Sequence, residues 1–354
     1  VTRIADPNEP LPKTVAYEIG YEQSFFDQFL VRTAGYYKNV SLEGLLVSYT
    51  NRNGSVTYSR SEPNGYADIR GFEFTIERKR GRWFRGFANY TYMVTSSGRF
   101  GRVGIYENTS TQRERDVSEN AARNLQSKPL PAPYARLSLD FFTPSSFGPL
   151  AGGLRPLADW HLIALGTWRA GSYYTWAGGG GAPENVSRNL QYRSSKGLDL
   201  RITRDFRFGP RRVSVFADIN NVLNIRRLSM VGFADGNDFT AYMRSLHLPK
   251  AQKGEYTTIV GDDTIGDFRL PDVAYDPIIH FADRTAYTSA VEGTLYFERN
   301  SETYLQYSNG AWQPADQARV NQVLRDKAYI DMPNQTFLNF FNPRTVYLGL
   351  RVNF

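Results

Sequence analysis

The sequence contains no cysteine among its 354 residues. This absence excludes a disulfide scaffold, a thiolate zinc site, an iron–sulfur cluster and a cysteine nucleophile. No apolar run approaches the roughly 18–20 residues that a membrane-spanning helix needs. The first residues, Val1 to Asp6, do not resemble a signal peptide, so we interpret the chain as a mature protein or a piece of one. The negative mean hydropathy of −0.47 still allows a membrane β-barrel, because barrel strands are half polar.

A strong charge asymmetry is also missing. Lys and Arg number 42 against 35 Asp and Glu, which leaves a net charge of +7. The basic residues are spread along the chain, and short clusters such as Arg78-Lys79-Arg80 are not interleaved with aromatic residues as in a single-strand binding groove. We therefore expect no nucleic-acid partner. A basic surface that faces phosphate-bearing lipid fits this composition at least as well.

Aromatic residues are abundant, at 14% of the sequence, and the dominant hydrophobic period is two. Residues 15–22 place apolar side chains on one face and polar or small side chains on the other, which is the pattern of a two-faced β-strand. The same alternation predicts nine strands, at residues 15–22, 29–38, 69–78, 83–94, 134–142, 160–169, 197–206, 212–220 and 345–354. Most have the 9–11 residues that a tilted strand needs to cross a bilayer.

The connections between these strands alternate in length. Short turns, such as Arg80-Gly81-Arg82, alternate with long links at about 39–67, 95–132, 170–196 and 221–344; the link at 143–158 has intermediate length at a position where a short turn is expected. Short turns on one side and long loops on the other are typical of outer-membrane barrels. The sequence thus predicts an all-β fold, a transmembrane antiparallel β-barrel with its short turns in the periplasm and its long loops outside.

The predicted strand number is odd, whereas bacterial single-chain barrels normally have an even number. We therefore expect residues 1–354 to form a partial barrel, the C-terminal portion of a larger one. The long link at about 221–344 is predicted to be a large extracellular insertion. Within it, Val320, Val323 and Leu324 have helical spacing, which predicts a short helix over 315–327 with an apolar stripe used for packing.

Several strand motifs resemble those of TonB-dependent outer-membrane receptors. The motifs are Tyr17-Glu18-Ile19-Gly20, Gly35-Tyr36-Tyr37-Lys38, Gly71-Phe72-Glu73, Tyr90-Thr91-Tyr92, Leu198-Asp199-Leu200-Arg201, the Asn221-Val222-Leu223-Asn224 that ends a strand, and the closing segment with its terminal Phe354. Their order and spacing follow the C-terminal barrel part of that family along nearly the whole chain. The resemblance implies a 22-stranded barrel.

The resemblance also implies partners. Family members carry a plug domain and a short energy-coupling box that engages TonB, and neither is present in these 354 residues, so both contacts are expected through a missing N-terminal part. Further expected partners are outer-membrane lipid and, on the cell surface, lipoproteins or other outer-membrane proteins. The implied localisation is the outer membrane of a Gram-negative cell.

The function implied by the resemblance is TonB-dependent uptake of a scarce nutrient such as a siderophore, vitamin, oligosaccharide or peptide. Two alternatives stay open, a barrel scaffold of a surface protein complex and a passive porin. An enzyme is not expected, because the three histidines, His161, His247 and His280, have no catalytic sequence context. The charged residues predicted to face the lumen are Glu18, Glu22, Arg32, Glu73, Glu77, Arg85, Arg136, Asp140, Asp199, Arg201 and Asp218.

Aromatic residues of the long link at 170–196 are candidate substrate contacts. Tyr173, Tyr174 and Trp176 lie close together, and Tyr192 follows at the end of the same link. Aromatic rings on an extracellular loop can stack on a sugar, a heterocycle or a siderophore ring. The alternative is that they pack loop against loop or meet lipid headgroups.

An acidic turn in the large insertion is a candidate calcium site. Asp262, Asp263 and Asp267 lie within six residues, in a segment that also contains Gly261 and Gly266. Ca²⁺ prefers several oxygen ligands gathered by a tight turn, although this segment lacks the spacing of a full EF-hand loop. The alternative is a solvated acidic turn. No other cofactor is expected.

Overall fold

The computed structural model of the protein describes residues 2–121, 129–153, 155–175, 188–209, 211–226, 228, 233, 236–247, 263–332 and 343–353. In chain order its elements are β1 (Thr2–Ile4), β2 (Lys13–Phe25), β3 (Phe29–Thr50), β4 (Thr57–Arg78), β5 (Phe84–Arg99), β6 (Gly104–Tyr106), α1 (Thr109–Ala121), β7 (Leu130–Pro131), β8 (Tyr134–Phe142), β9 (Trp160–Arg169), β10 (Tyr173–Tyr174), β11 (Leu190–Gln191), β12 (Ser195–Phe208), β13 (Arg211–Asn220), α2 (Gly236–Ser245), β14 (Ile278–Phe281), β15 (Leu295–Glu298), β16 (Thr303–Ser308), β17 (Ala311–Pro314), α3 (Gln317–Asp326) and β18 (Thr345–Asn353). No helix in these described segments is long and apolar enough to cross a membrane.

Nine strands form one antiparallel meander. Its order is β18-β13-β12-β9-β8-β5-β4-β3-β2, so each strand pairs with the one before and after it among the nine. The short strands β1, β6 and β7 attach to the ends of longer ones. All nine strands predicted from the period-two pattern are confirmed in order, and β8 and β9 have the predicted boundaries. Within the described residues, β2 and β18 each have one neighbour, and the sheet is open.

The strand registers place most of the charged side chains of the meander on one face. Arg85 of β5 lies opposite Asp140 of β8, and their side chains form an ion pair of 2.6 Å. Arg201 of β12 lies opposite Asp218 of β13, with Nη2 donating to Oδ2 at 3.0 Å. Since directly opposed residues share a face, we call this side the charged face.

The opposite side of the meander is mainly apolar, although it also carries Asp68, Arg70 and Arg204. Leu137 of β8 lies opposite Ala88 of β5, and further along the sheet Val215 of β13 lies opposite Leu350 of β18. Many of these apolar side chains are exposed, for example Leu350 at 63%. A sheet with an exposed apolar face and a charged reverse face is the arrangement of a barrel wall between lipid and water.

Close packing on the charged face requires a glycine at position 349. The Arg201 guanidinium lies over the Phe216 ring, 4.8 Å from its centroid, and the ring covers Gly349 of β18. A Cβ atom at Gly349 would lie 2.2 Å from the ring, which is inside van der Waals contact. The ring can therefore stay flat against the sheet only because residue 349 has no side chain.

The predicted long link at 39–67 is wrong, because most of it continues the strands. β3 and β4 each have 22 residues, and at about 3.3 Å per residue they extend for roughly 70 Å. Register shifts between Ser41, Glu43 and Leu45 interrupt the pairing. A bulge of this kind breaks the period of two, so the alternation that reveals residues 29–38 of β3 and 69–78 of β4 disappears in the remainder of each strand.

The described part of the insertion at 221–344 has its own hydrophobic core. Its largest buried cluster contains Tyr242, Met243 and Leu246 of the α2 region, Val320 and Val323 of α3, and Ile330. A four-stranded sheet, β14-β15-β16-β17, covers a second cluster around Phe281, Tyr296 and Leu305. These clusters hold most of the side chains that are fully buried among the described residues.

The short helix predicted over 315–327 is confirmed as α3. Asp316 caps its first turn by accepting a hydrogen bond from the backbone N–H of Ala318 at 3.1 Å. Lys327 ends the helix in the left-handed conformation, with φ 50°. Val320 and Val323 are buried in the insertion's core, so the apolar stripe serves packing, as its spacing predicts.

Candidate functional site

A large cavity lies where four strands of the meander meet their long connections. Its volume is about 910 Å³, and it is lined by the ends of β5, β8, β9 and β12 together with residues of the link at 170–196. Tyr134, Arg169 and Ser195 lie opposite one another across β8, β9 and β12. Tyr134 shares its face with Arg136 and Asp140, since positions an even number apart along β8 point to the same side. The cavity therefore opens on the charged face of the sheet.

Three arginines line this cavity: Arg169 at the end of β9, and Arg188 and Arg193 in the link that follows. All three are exposed. No Asp or Glu occurs among the described residues that line the cavity. Tyr134, Tyr173 and Tyr192 contribute aromatic surface, and Met93, Leu130 and Leu228 contribute apolar surface. The site thus combines positive charge with flat apolar walls.

The predicted aromatic contacts divide between the cavity and the core. Tyr173 and Tyr192 line the cavity. Tyr174 instead packs edge-on against Tyr192, with centroids 6.2 Å apart, and against Phe239 of α2 at 5.8 Å. Tyr174 thus packs loop against loop, and substrate contact by Tyr173 and Tyr192 stays a prediction. Trp176 lies outside the described residues.

Tyr192 occupies a special position because it also lines two neighbouring cavities, of about 540 and 330 Å³. Arg193 lines both of these cavities as well, so the Tyr192–Arg193 pair separates the three spaces. The Tyr192 hydroxyl is buried and has no hydrogen-bond partner among the described residues. Burial raises its pKa to about 12, so the hydroxyl keeps its proton at physiological pH.

Arg193 links the cavity to the insertion. Its Nη1 atom lies 3.1 Å from Asp267 Oδ1, and its backbone N–H donates to the Ile265 carbonyl at 2.8 Å. Ile265 is buried in the core of the insertion. A displacement of the Arg193 side chain would therefore change the contacts of the folded insertion.

The acidic turn is built around a lysine that sequence reasoning missed. Lys327 Nζ lies 3.0 Å from Asp263 Oδ1 and 2.5 Å from Asp267 Oδ2, and the Tyr329 hydroxyl donates to Asp263 at 2.9 Å. Burial raises the pKa of the Asp263 carboxyl. The turn is therefore not a solvated one; Lys327, about sixty residues downstream, supplies its positive charge.

Calcium binding at this turn stays a prediction. Asp262 lies outside the described residues, and both described carboxylates, those of Asp263 and Asp267, are engaged with Lys327. Across the described segments, no three His, Asp or Glu side chains form a group that could hold a metal ion.

Two histidines that are far apart in the sequence lie close together in the insertion. The rings of His247 and His280 lie 4.8 Å apart, and Tyr329 stacks on His247 at 3.9 Å. Burial lowers the pKa of His247 to about 2 and that of His280 to about 4. His161 lies elsewhere, on the charged face, where it bonds to Asp140. Both buried histidines are neutral packing residues at physiological pH.

Comparisons with known proteins agree with the meander. The family model described as "TonB dependent receptor-like, beta-barrel" matches residues 2–222, which is more than half of the chain. The match ends where β13 gives way to the insertion. Among solved structures, the outer membrane transporter YddB from Escherichia coli is similar with a TM-score of 0.41 and 14% identity, over 62% of this chain and 30% of that one. This chain thus spans less than a third of that transporter. No curated protein matches the sequence at a significant level.

Proposed function

Because the chain belongs to the family of TonB-dependent receptor-like β-barrels, we propose that it forms part of the wall of an outer-membrane transporter that takes up a scarce nutrient with energy supplied through TonB. The family points to a transporter rather than an enzyme, and it implies a plug domain and an interaction with TonB. The observation that carries the proposal is the matched nine-stranded meander, with an apolar face, a charged face and a cavity on the charged face.

In this proposal the two faces of the sheet have separate tasks. The apolar face, with exposed side chains such as Ile19 and Leu348, contacts lipid, where removing apolar surface from water stabilises the protein. The charged face turns toward the lumen and contacts water and the plug. Ion pairs on this face, such as Arg85–Asp140, keep the face polar and give its charges partners.

The cavity is the proposed capture site. It lies at the ends of the strands from which the long connections leave, the side that faces outward if the short turns are periplasmic. A nutrient that enters from outside meets Tyr173, Arg188 and Arg193 before it reaches the rest of the charged face. The insertion at about 221–344 lies outside the membrane in this orientation.

The test compares growth on single limiting nutrients. Cells that produce the protein, cells that lack it and cells that lack TonB are each grown on a panel of siderophore-iron, vitamin, oligosaccharide and peptide sources. We expect growth on at least one source to require both the protein and TonB. Growth that requires the protein but not TonB would contradict the proposal and would support a passive porin.

A second candidate function rests on the folded insertion. Its two hydrophobic clusters and four-stranded sheet form more structure than a mobile loop needs, and a folded module on the cell surface suits docking of another protein. If no nutrient depends on the protein, and a surface lipoprotein or outer-membrane protein co-purifies with it unless the insertion is removed, the scaffold function replaces the transporter.

A further inference from the structure

We propose that the 910 Å³ cavity selects an anionic solute with a flat or apolar body, one that carries carboxylate, sulfonate or phosphate oxygens. This inference rests on the proposed function, since it names the class of substrate that the same site takes. It does not depend on energy coupling, because equilibrium binding precedes any transport step.

The cavity carries unbalanced positive charge. Arg169, Arg188 and Arg193 line one cavity whose described lining has no carboxylate. Neither Arg169 nor Arg188 has an ion-pair partner among the described residues, whereas Arg193 and seven other arginines pair within 3.2 Å. Positive charges that line one cavity repel one another, and Arg193 alone of these three has a counter-charge among the described residues, that of Asp267. A bound anion relieves that repulsion and gains most from Arg169 and Arg188.

Guanidinium groups are suited to oxyanions. A guanidinium presents a planar fork of N–H donors that matches two oxygens of a carboxylate, sulfonate or phosphate. The backbone N–H of Arg188 donates to the Thr175 hydroxyl at 2.8 Å. This bond ties Arg188 to the segment that carries Tyr173, which lines the same cavity.

The apolar walls of the cavity favour a ligand with a flat or apolar body. Tyr134, Tyr173 and Tyr192 face the same space as Met93, Leu130 and Leu228. A small inorganic anion would leave this surface unused, whereas a ring or a flat chain would cover it and gain by its burial. The combination of arginines and apolar walls disfavours uncharged sugars as well as compact hydrated ions.

The position of the cavity distinguishes a diffusing solute from a lipid headgroup. Arg169 and Tyr134 lie on the charged face, opposite the apolar face that is proposed to contact lipid. A lipopolysaccharide phosphate would meet the other side of the wall. The ligand is therefore a solute that arrives through the extracellular mouth.

Asp267 competes with the ligand for the guanidinium of Arg193. It already pairs with Asp267 at 3.1 Å, and an incoming anion competes for the same guanidinium. Asp267 would not be left alone, because Lys327 bonds to its other oxygen. We therefore expect Arg193 to contribute less to ligand affinity than Arg169 and Arg188. When Arg193 leaves Asp267 to bind the ligand, a contact of the insertion changes, so we expect ligand binding to be coupled to the insertion.

The test uses a trisulfonated pyrene dye as the anionic probe and a trimethylammonium pyrene as its cationic counterpart. Binding to the detergent-purified protein, extracted from outer membranes, is followed by fluorescence anisotropy.

Removing one charge-assisted contact weakens binding roughly tenfold or more. We expect this loss for Arg169→Gln and for Arg188→Gln, a smaller loss for Arg193→Gln, and weaker wild-type binding at high salt. Arg113→Gln, on the exposed surface of α1, is the matched control and should bind as the wild type does.

Three outcomes would overturn the inference: no binding of the sulfonated dye, equal binding of the cationic dye, or unchanged affinity in both Arg169→Gln and Arg188→Gln. Displacement of the dye by purified lipopolysaccharide would overturn the assignment to a solute. Heat-modifiable gel migration shows that each variant is folded. The growth experiment tests the transport function independently of dye binding. Dye binding without TonB-dependent growth would therefore contradict the transport function and leave the ligand class supported.

Discussion

Lys327 shows how a single residue decides the character of a site. Its ammonium joins two carboxylates that the sequence places sixty or more positions away. Asp263 is fully buried, and a buried carboxylate without a counter-charge is strongly destabilising. Lys327 therefore holds the insertion together at the point where it also contacts Arg193 through their shared partner Asp267.

Lys327→Met should lower the free energy of local unfolding of the insertion by about 3 kcal/mol, because it leaves buried charge unpaired. Hydrogen exchange of peptides from α3 measures this change. Lys79→Met is the control; Lys79 is exposed and 3.7 Å from Glu77, and such surface pairs contribute less than about 1 kcal/mol. If millimolar Ca²⁺ slows exchange in the wild type, the acidic turn binds calcium and Lys327 is not the cation that neutralises it.

His247 should make the insertion sensitive to acid. Its pKa is lowered by burial to about 2, and the neighbouring groups are His280, Lys327 and the ring of Tyr329. Because the folded pKa lies below the unfolded value of about 6.5, protons bind preferentially to the unfolded state, and stability falls as the pH drops below about 6.5.

Between pH 7 and pH 5 this effect costs about 2 kcal/mol for one histidine. His247→Phe, which keeps the stacking on Tyr329, should remove that part of the pH dependence while leaving the comparable part due to His280. Exchange protection of α3, corrected for the intrinsic rate at each pH, reports the difference. An identical pH profile in the variant would show that His247 is not held neutral.

At the residue scale, only part of the site can be predicted from the sequence. Adjacent aromatic residues such as Tyr173 and Tyr174 are conspicuous, and they do lie at or beside the cavity. Arg169, Arg188 and Arg193 are not conspicuous, because arginines are frequent along the whole chain and only the strand register brings these three together. The signal that could have found them is the stretch from 169 to 198, which begins at the strand end and has Glu184 as its one acidic residue.

At the scale of elements, the period of two is a strong predictor. It succeeds for all nine strands of the meander because both faces of each strand have a constant environment. It fails in the outer halves of β3 and β4, where the register shifts near Glu43 exchange the faces. It also cannot reveal the insertion's core, because short strands such as β15 are buried at every position and carry no alternation.

The two faces of β8 provide a direct test of the wall. Leu137 lies on the apolar face and Ser138 on the charged face, one residue apart at the middle of the strand. Leu137→Arg places a charge in lipid and should destabilise the folded protein by about 2–4 kcal/mol. Ser138→Arg should cost less than about 1 kcal/mol, because its side chain faces water. Urea unfolding in lipid vesicles, followed by heat-modifiable migration, measures both; equal losses would show that the face assignment is wrong.

At the scale of the whole molecule, stability and recognition come from different parts. The meander has few fully buried side chains, which is expected if lipid and a plug cover its faces. The insertion has a core of its own and touches the cavity through Arg193. The family match ends just where the insertion begins, yet β18 returns to pair with β13 along nine residue positions. The insertion thus separates two neighbouring strands of the wall without interrupting the sheet.

The most direct test of a wall that crosses the outer membrane is the accessibility of single cysteines in intact cells, since the chain has no cysteine of its own. Arg325→Cys, in the insertion, and Lys79→Cys, in the turn between β4 and β5, both replace exposed charged residues. A polyethylene-glycol maleimide too large for porins should label Arg325→Cys in intact cells and Lys79→Cys only after the outer membrane is permeabilised. Labelling of Lys79→Cys in intact cells, or of Arg325→Cys only after permeabilisation, would contradict a wall that crosses the outer membrane with its insertion outside.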